Sequence, residues 1–146
     1  LDGDIIRTHL SSELGFSTEH RSINVKRIGY VASEITKNGG IAVCAPIDPY
    51  ESDRNYNRKL ISKLGGYIEV HVATSLEKCE ERDVKGLYKL AREGKLKEFT
   101  GISDPYEDPI NPELKIDSSE IEPEKLVEKI YNYIEKRGLI SEWIDD

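Results

Sequence analysis

The sequence predicts an α/β domain built on a parallel β-sheet with helices on both faces. Apolar, β-branched stretches alternate with segments whose apolar residues recur at helical spacing, and this alternation is typical of parallel sheets. Two of the predicted strands are entered by glycine pairs, Gly39-Gly40 and Gly65-Gly66. A length of 146 residues is sufficient for one domain with a hydrophobic core.

Three segments have the composition of strands. Residues 41–47 form a short apolar run, residues 67–73 are rich in β-branched side chains, and residues 114–116 are a shorter candidate. The first residues resemble the end of a further strand, and the chain contains no Met. We therefore expect a fragment, or a domain cut from a longer protein.

Helices are predicted between these strands, in the order β-α-β-α-β-α-α-β-α. They cover residues 24–37, residues 53–63, a segment that starts at Leu76 after a Ser75 cap, a short segment before the last strand, and residues 124–136. The first helix places Ile28, Val31, Ala32 and Ile35 on one face, and the second has Tyr56, Leu60 and Leu64 at helical spacing. In the last helix the side chains expected to face inward are Leu126, Val127, Ile130 and Ile134.

Composition argues against two classes of function. The net charge is −7, and residues 1–99 carry 16 Lys or Arg against 15 Asp or Glu, whereas residues 100–146 carry 5 against 13. An anionic ligand near the front of the molecule is compatible with this distribution, but broad nucleic-acid binding is not, because it requires a basic face. No apolar run approaches the roughly 20 residues of a membrane span, and no signal-peptide pattern opens the chain.

The two cysteines, Cys44 and Cys79, stand 35 positions apart and form no metal-binding pattern. We expect both to be reduced thiols in the core, which favours a cytoplasmic protein.

Acidic residues follow two of the predicted strands, at the sheet edge where ligands of parallel sheets bind. Asp4 ends the Asp2-Gly3-Asp4 stretch, and Asp48 follows the 41–47 run. Such carboxylates hold Mg²⁺ or orient an attacking hydroxyl in phosphoryl-transfer enzymes. They are equally typical of turns and N-caps, so both interpretations stay open.

Basic and aromatic residues near the same edge suggest an anionic, ring-containing ligand. Arginines occur at positions 7, 21, 27, 54 and 58, and each is a candidate for an oxyanion contact or for an ordinary ion pair with a neighbouring glutamate. A basic, glycine-punctuated stretch from Lys85 to Gly101 has the character of a lid. The two phenylalanines, Phe16 and Phe99, are candidates either for base stacking or for core packing.

No phosphate-binding loop of the form G-x-x-x-x-G-K-[ST] or G-x-G-x-x-G occurs in the printed sequence. Because phosphoryl transfer from ATP needs such a backbone nest, we expect the chain by itself to be inactive, with the loop and its strand upstream of Leu1.

Several motifs together resemble those of the adenylyl-sulfate kinase family. They are Leu1-Asp2-Gly3-Asp4-Ile5-Ile6-Arg7, Leu14-Gly15-Phe16-Ser17, Arg21 with Asn24 and Arg27-Ile28-Gly29, Pro49-Tyr50 with Asp53-Arg54, Cys79-Glu80-Glu81-Arg82-Asp83, Lys85-Gly86-Leu87-Tyr88-Lys89, Phe99-Thr100-Gly101-Ile102 and Pro105-Tyr106-Glu107. The resemblance runs to about Leu139. It implies a P-loop kinase-like three-layer sandwich, truncated at its N-terminus, with residues 1–146 as one domain and residues 140–146 as a tail.

The resemblance also implies roles for single residues. Asp4 would lie beside the reacting hydroxyl as the catalytic residue, and the two Phe would sandwich the adenine. The implied sulfonucleotide contacts are Arg7, Phe16, Arg21, Asn24, Ile47, Lys89 and Phe99, and the implied nucleotide or lid residues are Arg82 and Lys85. Asp48 stands where many relatives have Ser, and it is interpreted either as an Mg²⁺ ligand or as a cap of the following helix.

The activity implied is transfer of the γ-phosphoryl group of ATP, with Mg²⁺, to the 3′-hydroxyl of adenosine 5′-phosphosulfate. The alternative is a non-catalytic, kinase-like domain of an ATP sulfurylase that senses sulfonucleotides. The resemblance leaves open a fusion to or association with sulfate adenylyltransferase and a homodimer. It implies no nucleic-acid or membrane partner.

Overall fold

The structure is a computed structural model that describes residues 1–140. Its contacts divide the chain into two units. Unit 1 comprises Leu1–Tyr67 and Val84–Ile110, and unit 2 comprises Ile68–Asp83 and Asn111–Asp146, of which residues 141–146 lie outside the described part. The predicted tail, 140–146, falls almost entirely on those residues, and the single-domain boundary stays a prediction.

Unit 1 contains four helices: α1 (Gly3–His9), α2 (Thr18–Lys37), α3 (Glu51–Ile61) and α5 (Leu87–Arg92). Helix α2 starts where Ser17 caps it, since the Ser17 hydroxyl accepts a hydrogen bond from His20 N at 3.3 Å. Its buried apolar residues are Val25, Ile28 and Ala32. Helix α1 was not predicted, because its seven residues are too few to show a period.

Helices α2 and α3 pack closely at Gly29. A Cβ at this position would lie 1.9 Å from Asn57 Oδ1, so only a residue without a side chain fits. Asn57 is buried, and its Nδ2 donates to the backbone carbonyl of Val25 at 3.3 Å. The amide of α3 therefore rests on the backbone of α2.

The apolar residues that stand at helical spacing in α3 do not form its inner face. Tyr56 and Leu64 are exposed, and the buried side chains are Asp53, Arg54, Asn57 and Ile61. The helical period is correct, but the face that turns inward is polar. Burial of Asp53 is tolerated because its Oδ1 accepts from Ser22 Oγ at 2.7 Å and lies 3.2 Å from Lys26 Nζ.

The predicted buried strand at residues 41–47 is also wrong. Ala45 forms a single parallel bridge with Asp2, with hydrogen bonds from Leu1 N to Val43 O and from Ala45 N to Leu1 O. Pairing over two residues is too short for a regular strand. Ile41, Val43 and Ile47 are 70%, 76% and 65% exposed, so most of the apolar run is not covered by other side chains.

Unit 2 contains a two-stranded parallel sheet of β1 (Val70–Val72) and β2 (Leu114–Ile116), with Val70 opposite Leu114 and Val72 opposite Ile116. Its helices are α4 (Leu76–Arg82) and α6 (Pro123–Lys136).

The structure confirms the predicted start of α4 and the predicted end of α6. Ser75 Oγ caps α4 by accepting from Lys78 N at 3.3 Å, and Gly138 follows α6 with φ +65°. Within α6, Leu126 is buried, but the prediction for Val127 is wrong, since this side chain is exposed. Neighbouring helical residues point about 100° apart, so a narrow stripe cannot include both.

Two further expectations concern burial and membranes. No helix within residues 1–140 is long and apolar enough to cross a bilayer. Both cysteines are free thiols, as expected, but neither lies in the core: Cys44 is exposed and Cys79 is half-buried.

Candidate active site

The candidate catalytic residue, Asp4, lies in the first turn of α1. Asp2 caps that turn, because its Oδ1 accepts hydrogen bonds from Asp4 N at 2.9 Å and Ile5 N at 3.0 Å. The Asp4 carboxylate itself is 79% exposed, and its Oδ2 lies 3.2 Å from Nζ of Lys85. The two aspartates therefore differ in role, since one holds the helix and the other presents a carboxylate to a lysine of the predicted lid.

Arg7 lies almost one turn further along α1. Its Nη1 donates to Gly15 O at 2.8 Å, and its guanidinium carbon is 4.6 Å from the ring centroid of Phe16. Partial burial, the positive charge of Arg21 and, in the opposite direction, the negative charge of Asp4 act on it, and together they lower the pKa of Arg7. Arg7, Arg21 and Asp4 thus interact electrostatically across a small region of unit 1.

Phe16 stands in the short loop between α1 and α2, and its ring is 59% exposed. The preceding residue is fixed, because Gly15 N donates to His20 Nδ1 at 2.8 Å. Core packing, one of the two interpretations of Phe16, is wrong for this side chain. Its ring is available on the surface with a cation above one face.

Phe99 begins a tight turn. Its carbonyl oxygen accepts hydrogen bonds from the backbone N–H groups of residues 102, 103 and 104, and its own N–H donates to Ser103 Oγ at 2.8 Å. The half-buried ring meets Tyr88 edge to face, with centroids 5.2 Å apart. The preceding residue, Glu98, has φ +53°, a left-handed conformation that is unusual for a residue other than glycine.

Arg21 joins the two phenylalanine-bearing segments. Its Nε donates to Phe16 O at 2.7 Å. Its Nη1 donates to Thr100 Oγ1 and its Nη2 to Glu98 O, and Asp104 Oδ2 lies 3.7 Å from Nη2. One guanidinium therefore spans from the loop after α1 to the turn that carries Phe99, and the structure brings these predicted site residues together.

Three other predicted contacts lie in the same unit. Asn24 is buried on α2, whereas Ile47 and Lys89 are exposed. Asp48 has φ +44°, and its backbone carbonyl accepts a hydrogen bond from Arg54.

The interpretation of Asp48 as a helix cap is wrong. Helix α3 has Tyr50 at its N-cap position, and Glu51 N donates instead to the carboxylate of Glu107 at 2.7 Å. Arg54 fixes this arrangement, because its guanidinium donates to Asp48 O at 2.8 Å and to Glu107 O at 2.6 Å. Sequence reasoning missed this part played by Glu107, since a cap 56 residues away leaves no local pattern.

Two other arginines make local contacts of the ordinary kind. Arg27 pairs with Glu13 at 2.6 Å and donates to Leu10 O at 2.7 Å, and the guanidinium of Arg58 stacks 4.7 Å over the ring of Tyr67. The ion-pair interpretation is therefore correct for Arg27.

Arg82 belongs to unit 2, where it holds the segment after β2. Its Nη1 donates to Ser118 Oγ at 3.0 Å, and its Nη2 donates to Ser118 O at 2.5 Å and Ser119 O at 3.3 Å. Hydrogen bonds from Ser119 lower the pKa of the neighbouring Asp117. Arg82 thus anchors a loop at the carboxyl end of the parallel pair.

Comparison with known proteins decides the family. The model of the Adenylylsulphate kinase family matches residues 1–117 of the chain. The chain belongs to the adenylyl-sulfate kinase family.

Relatives support this assignment. The chain is 48% identical over 141 residues to an adenylyl-sulfate kinase of Rippkaea orientalis, and this match covers 97% of the chain and 76% of the relative. It is 47% identical over 139 residues to a sulfate adenylyltransferase of Chaetomium globosum, covering 95% of the chain. It spans only 24% of that second protein's length.

Solved structures confirm the predicted α/β P-loop kinase fold class. The structure of the Mycobacterium tuberculosis APS kinase CysC in complex with AMPPNP and APS matches with a TM-score of 0.88 at 35% identity, covering 92% of this chain and 78% of that one.

Proposed function

We propose that the protein is an adenylyl-sulfate kinase, which transfers the γ-phosphoryl group of ATP to the 3′-hydroxyl of adenosine 5′-phosphosulfate. The observation that carries the proposal is the Arg21 bridge, which holds the Phe16 and Phe99 segments together beside Arg7. Aromatic rings suit an adenine, and a cation suits a phosphosulfate. Family membership supports the same reaction.

In this proposal Asp4 is the residue that touches the reacting hydroxyl. A solvent-exposed carboxylate can accept a hydrogen bond from the hydroxyl and then its proton, and the neighbouring Lys85 at 3.2 Å keeps the carboxylate in place. Arg7 is proposed to contact the anionic group, with Asn24, Ile47 and Lys89 completing the sulfonucleotide contacts. These roles rest on the match to the family's motifs and on their location in unit 1.

ATP is the proposed co-substrate, supported by the complex of the Mycobacterium tuberculosis relative with AMPPNP. Lys85 is proposed to meet its phosphates. Mg²⁺ is proposed to bind with it, and when bound it neutralises charge on the transferring phosphoryl group. No group of three or more metal-ligating side chains occurs within residues 1–140. Mg²⁺ in such enzymes uses one or two carboxylates and the substrate's phosphates. A single protein carboxylate is therefore sufficient, and Asp48 is the proposed ligand.

A second candidate comes from the sulfate adenylyltransferases that the chain resembles over 24% of their length. In that setting the domain would bind sulfonucleotides without catalysis, as a sensing part of an ATP sulfurylase. The ion-paired Asp4 favours the kinase, since binding alone does not need a base near the hydroxyl. Fusion to or association with a sulfate adenylyltransferase, a homodimer and a cytoplasmic location belong to the proposal as well.

The test is a coupled assay of ADP release by the full-length protein, with adenylyl sulfate as acceptor and adenosine 5′-phosphate as control. We expect turnover with adenylyl sulfate and formation of its 3′-phosphorylated product. Tight binding of adenylyl sulfate without turnover would favour the sensing domain. Absence of both binding and turnover would contradict both candidates.

A further inference from the structure

We propose that Arg54 is a positioning residue that fixes the backbone of residues 46–50, here called the Asp48 loop, on which the proposed substrate contact Ile47 lies. This inference rests on the proposed function, because it takes adenylyl sulfate as the ligand that Ile47 meets. Arg54 acts through the loop and not by touching the ligand, since its side chain is only 5% exposed.

The first argument is the backbone of the Asp48 loop. Asp48 has φ +44°, a left-handed conformation that is uncommon for a residue with a side chain and that persists where the surroundings hold it. Its carbonyl oxygen accepts a hydrogen bond from Arg54 Nη1 at 2.8 Å. A hydrogen bond from a charged donor is stronger than one between neutral groups. Arg54 therefore supplies a strong contact at the residue whose backbone conformation requires one.

The second argument is that the same guanidinium also holds a segment from a distant part of the chain. Arg54 Nη2 donates to Glu107 O at 2.6 Å, and Glu107 N donates to Pro49 O at 2.9 Å. The Glu107 carboxylate accepts from Glu51 N at the start of α3. Arg54, Glu51 and Glu107 together form what we call the Arg54 clamp, and these tertiary contacts hold the loop.

The third argument is charge and shape. Glu51 Oε2 lies 2.8 Å from Arg54 Nη2, and the hydrogen bond from Arg54 lowers the pKa of Glu51, so the pair is ionised at neutral pH. Buried ion pairs often stabilise a fold no more than apolar side chains of similar volume do, so stability alone is a weak reason for a charge here. The planar fork of Arg54 reaches two carbonyls at once, at Asp48 and Glu107, and the single ammonium of Lys does not reproduce this geometry.

Ile47 stands at the exposed end of the Asp48 loop. Its side chain is 65% exposed, whereas Tyr50 is 8% exposed and Pro49 is also buried. The Tyr50 hydroxyl lies 3.3 Å from Thr18 Oγ1 as its hydrogen-bond donor. The backbone of Asp48 thus connects the anchored part of the loop to the exposed part, and its conformation sets where Ile47 lies.

The experiment measures the affinity of the full-length protein for adenylyl sulfate by calorimetry, together with the Tm of each variant. We expect Arg54→Lys, which keeps the charge but not the fork, to raise the Kd by about ten- to a hundredfold, the usual cost of losing a partner that orients a binding group from behind. A purely structural role gives a different result, namely a lower Tm and fewer binding sites per chain with an unchanged Kd for the folded molecules. That result would overturn the inference.

A double-mutant cycle tests whether the effect passes through Ile47. Ile47→Ala removes the contact that Arg54 is proposed to position. We therefore expect Arg54→Lys to cause little further loss of affinity in the Ile47→Ala background, because the two changes act on the same contact. Fully additive losses would show that Arg54 acts elsewhere, and the inference would be wrong.

The matched control is Arg58→Lys, the same change on the same helix. The guanidinium of Arg58 stacks over Tyr67, so we expect no change in Kd, and a rise equal to that of Arg54→Lys would overturn the inference. Two milder variants keep the test decisive if Arg54→Lys fails to fold. Glu107→Gln keeps an oxygen that accepts from Glu51 N, whereas Glu107→Ala does not. We expect a Kd close to that of the unaltered protein for the first and a raised Kd for the second, and equal values would contradict the clamp.

Failure of the inference and failure of the proposed function give different results. If the unaltered protein binds adenylyl sulfate and Arg54→Lys binds it equally well, only the inference is wrong. If the unaltered protein binds no adenylyl sulfate, the proposed function is wrong, and the inference fails with it.

Discussion

Two aspartates at the start of α1, two positions apart, should respond to truncation in opposite ways. Asp2 is the N-cap and accepts hydrogen bonds from Asp4 N and Ile5 N, whereas the exposed carboxylate of Asp4 contacts Lys85. We expect Asp4→Ala to lower kcat in the full-length protein by about 10²–10⁴-fold, the usual contribution of a general base. We expect Asp2→Ala to change kcat less than tenfold.

The expected effects on stability follow from the same contacts. Loss of an N-cap costs about 0.5–2 kcal/mol. Loss of an exposed ion pair costs about 0–1 kcal/mol. For a domain of this size 1 kcal/mol shifts Tm by roughly 2–4 °C, so Asp2→Ala should lower Tm at least as much as Asp4→Ala. The two variants therefore separate stability from catalysis within one helical turn.

The assay combines initial rates, with adenylyl sulfate and ATP both saturating, and thermal melting of the same preparations. A near-normal kcat for Asp4→Ala together with a lowered Tm would show that Asp4 is structural. An equal loss of rate in both variants would show that the position of α1, and not the Asp4 carboxylate, controls turnover.

Three further predictions concern binding, packing and pH. Phe99→Ala in the full-length protein should weaken adenylyl sulfate binding by about ten- to a hundredfold, since stacking is worth roughly 1–3 kcal/mol per base; unchanged affinity in calorimetry would remove Phe99 from the site. Gly29→Ala should destabilise by about 1–3 kcal/mol in urea unfolding through its clash with Asn57, and Asn57→Ala in the same chain should recover part of that loss, whereas additive losses would contradict the contact. Hydrogen bonding from Arg54 holds the pKa of Glu51 below its ordinary value of 4.5, so its stabilisation is present above about pH 4.5 and lost as the pH falls through the lowered value; Glu51→Gln should flatten this acid loss, and an unchanged pH profile of the unfolding free energy would refute it.

Much of the local structure could be predicted because its signals are local. Ser75 and Gly138 mark a helix start and a helix end by side-chain and backbone preferences that need no tertiary information. The prediction of a buried strand at residues 41–47 was wrong, because apolar composition shows that a segment can be buried, not that anything covers it. The inner face of α3 could not be predicted, because Asp53 and Asn57 are buried through partners on α2, which no periodicity of apolar residues can reveal.

The candidate site could be predicted as a set of residues but not as a set of roles. Asp4, Phe16 and Phe99 were found from short motifs, and the structure adds the exposure of Phe16 and the Asp4–Lys85 pair. Glu107 was missed as a cap of α3, because its contact with Glu51 N joins residues 56 positions apart.

Arginine shows most clearly why composition cannot assign function. Positions 7, 21, 27 and 54 carry the same guanidinium group, and the sequence offers each the same two alternatives. Arg54 is buried and its donors hold two loops, and Arg27 is paired with a glutamate, so neither is placed to meet an anion.

Arg21 donates from each of its nitrogens to the protein. Arg7 donates one hydrogen bond, lies over an exposed ring and has its pKa lowered by burial and by Arg21. A second negative charge beside Arg7 would relieve the repulsion between the two cations. The arrangement therefore favours an anion at Arg7, beside the exposed ring of Phe16.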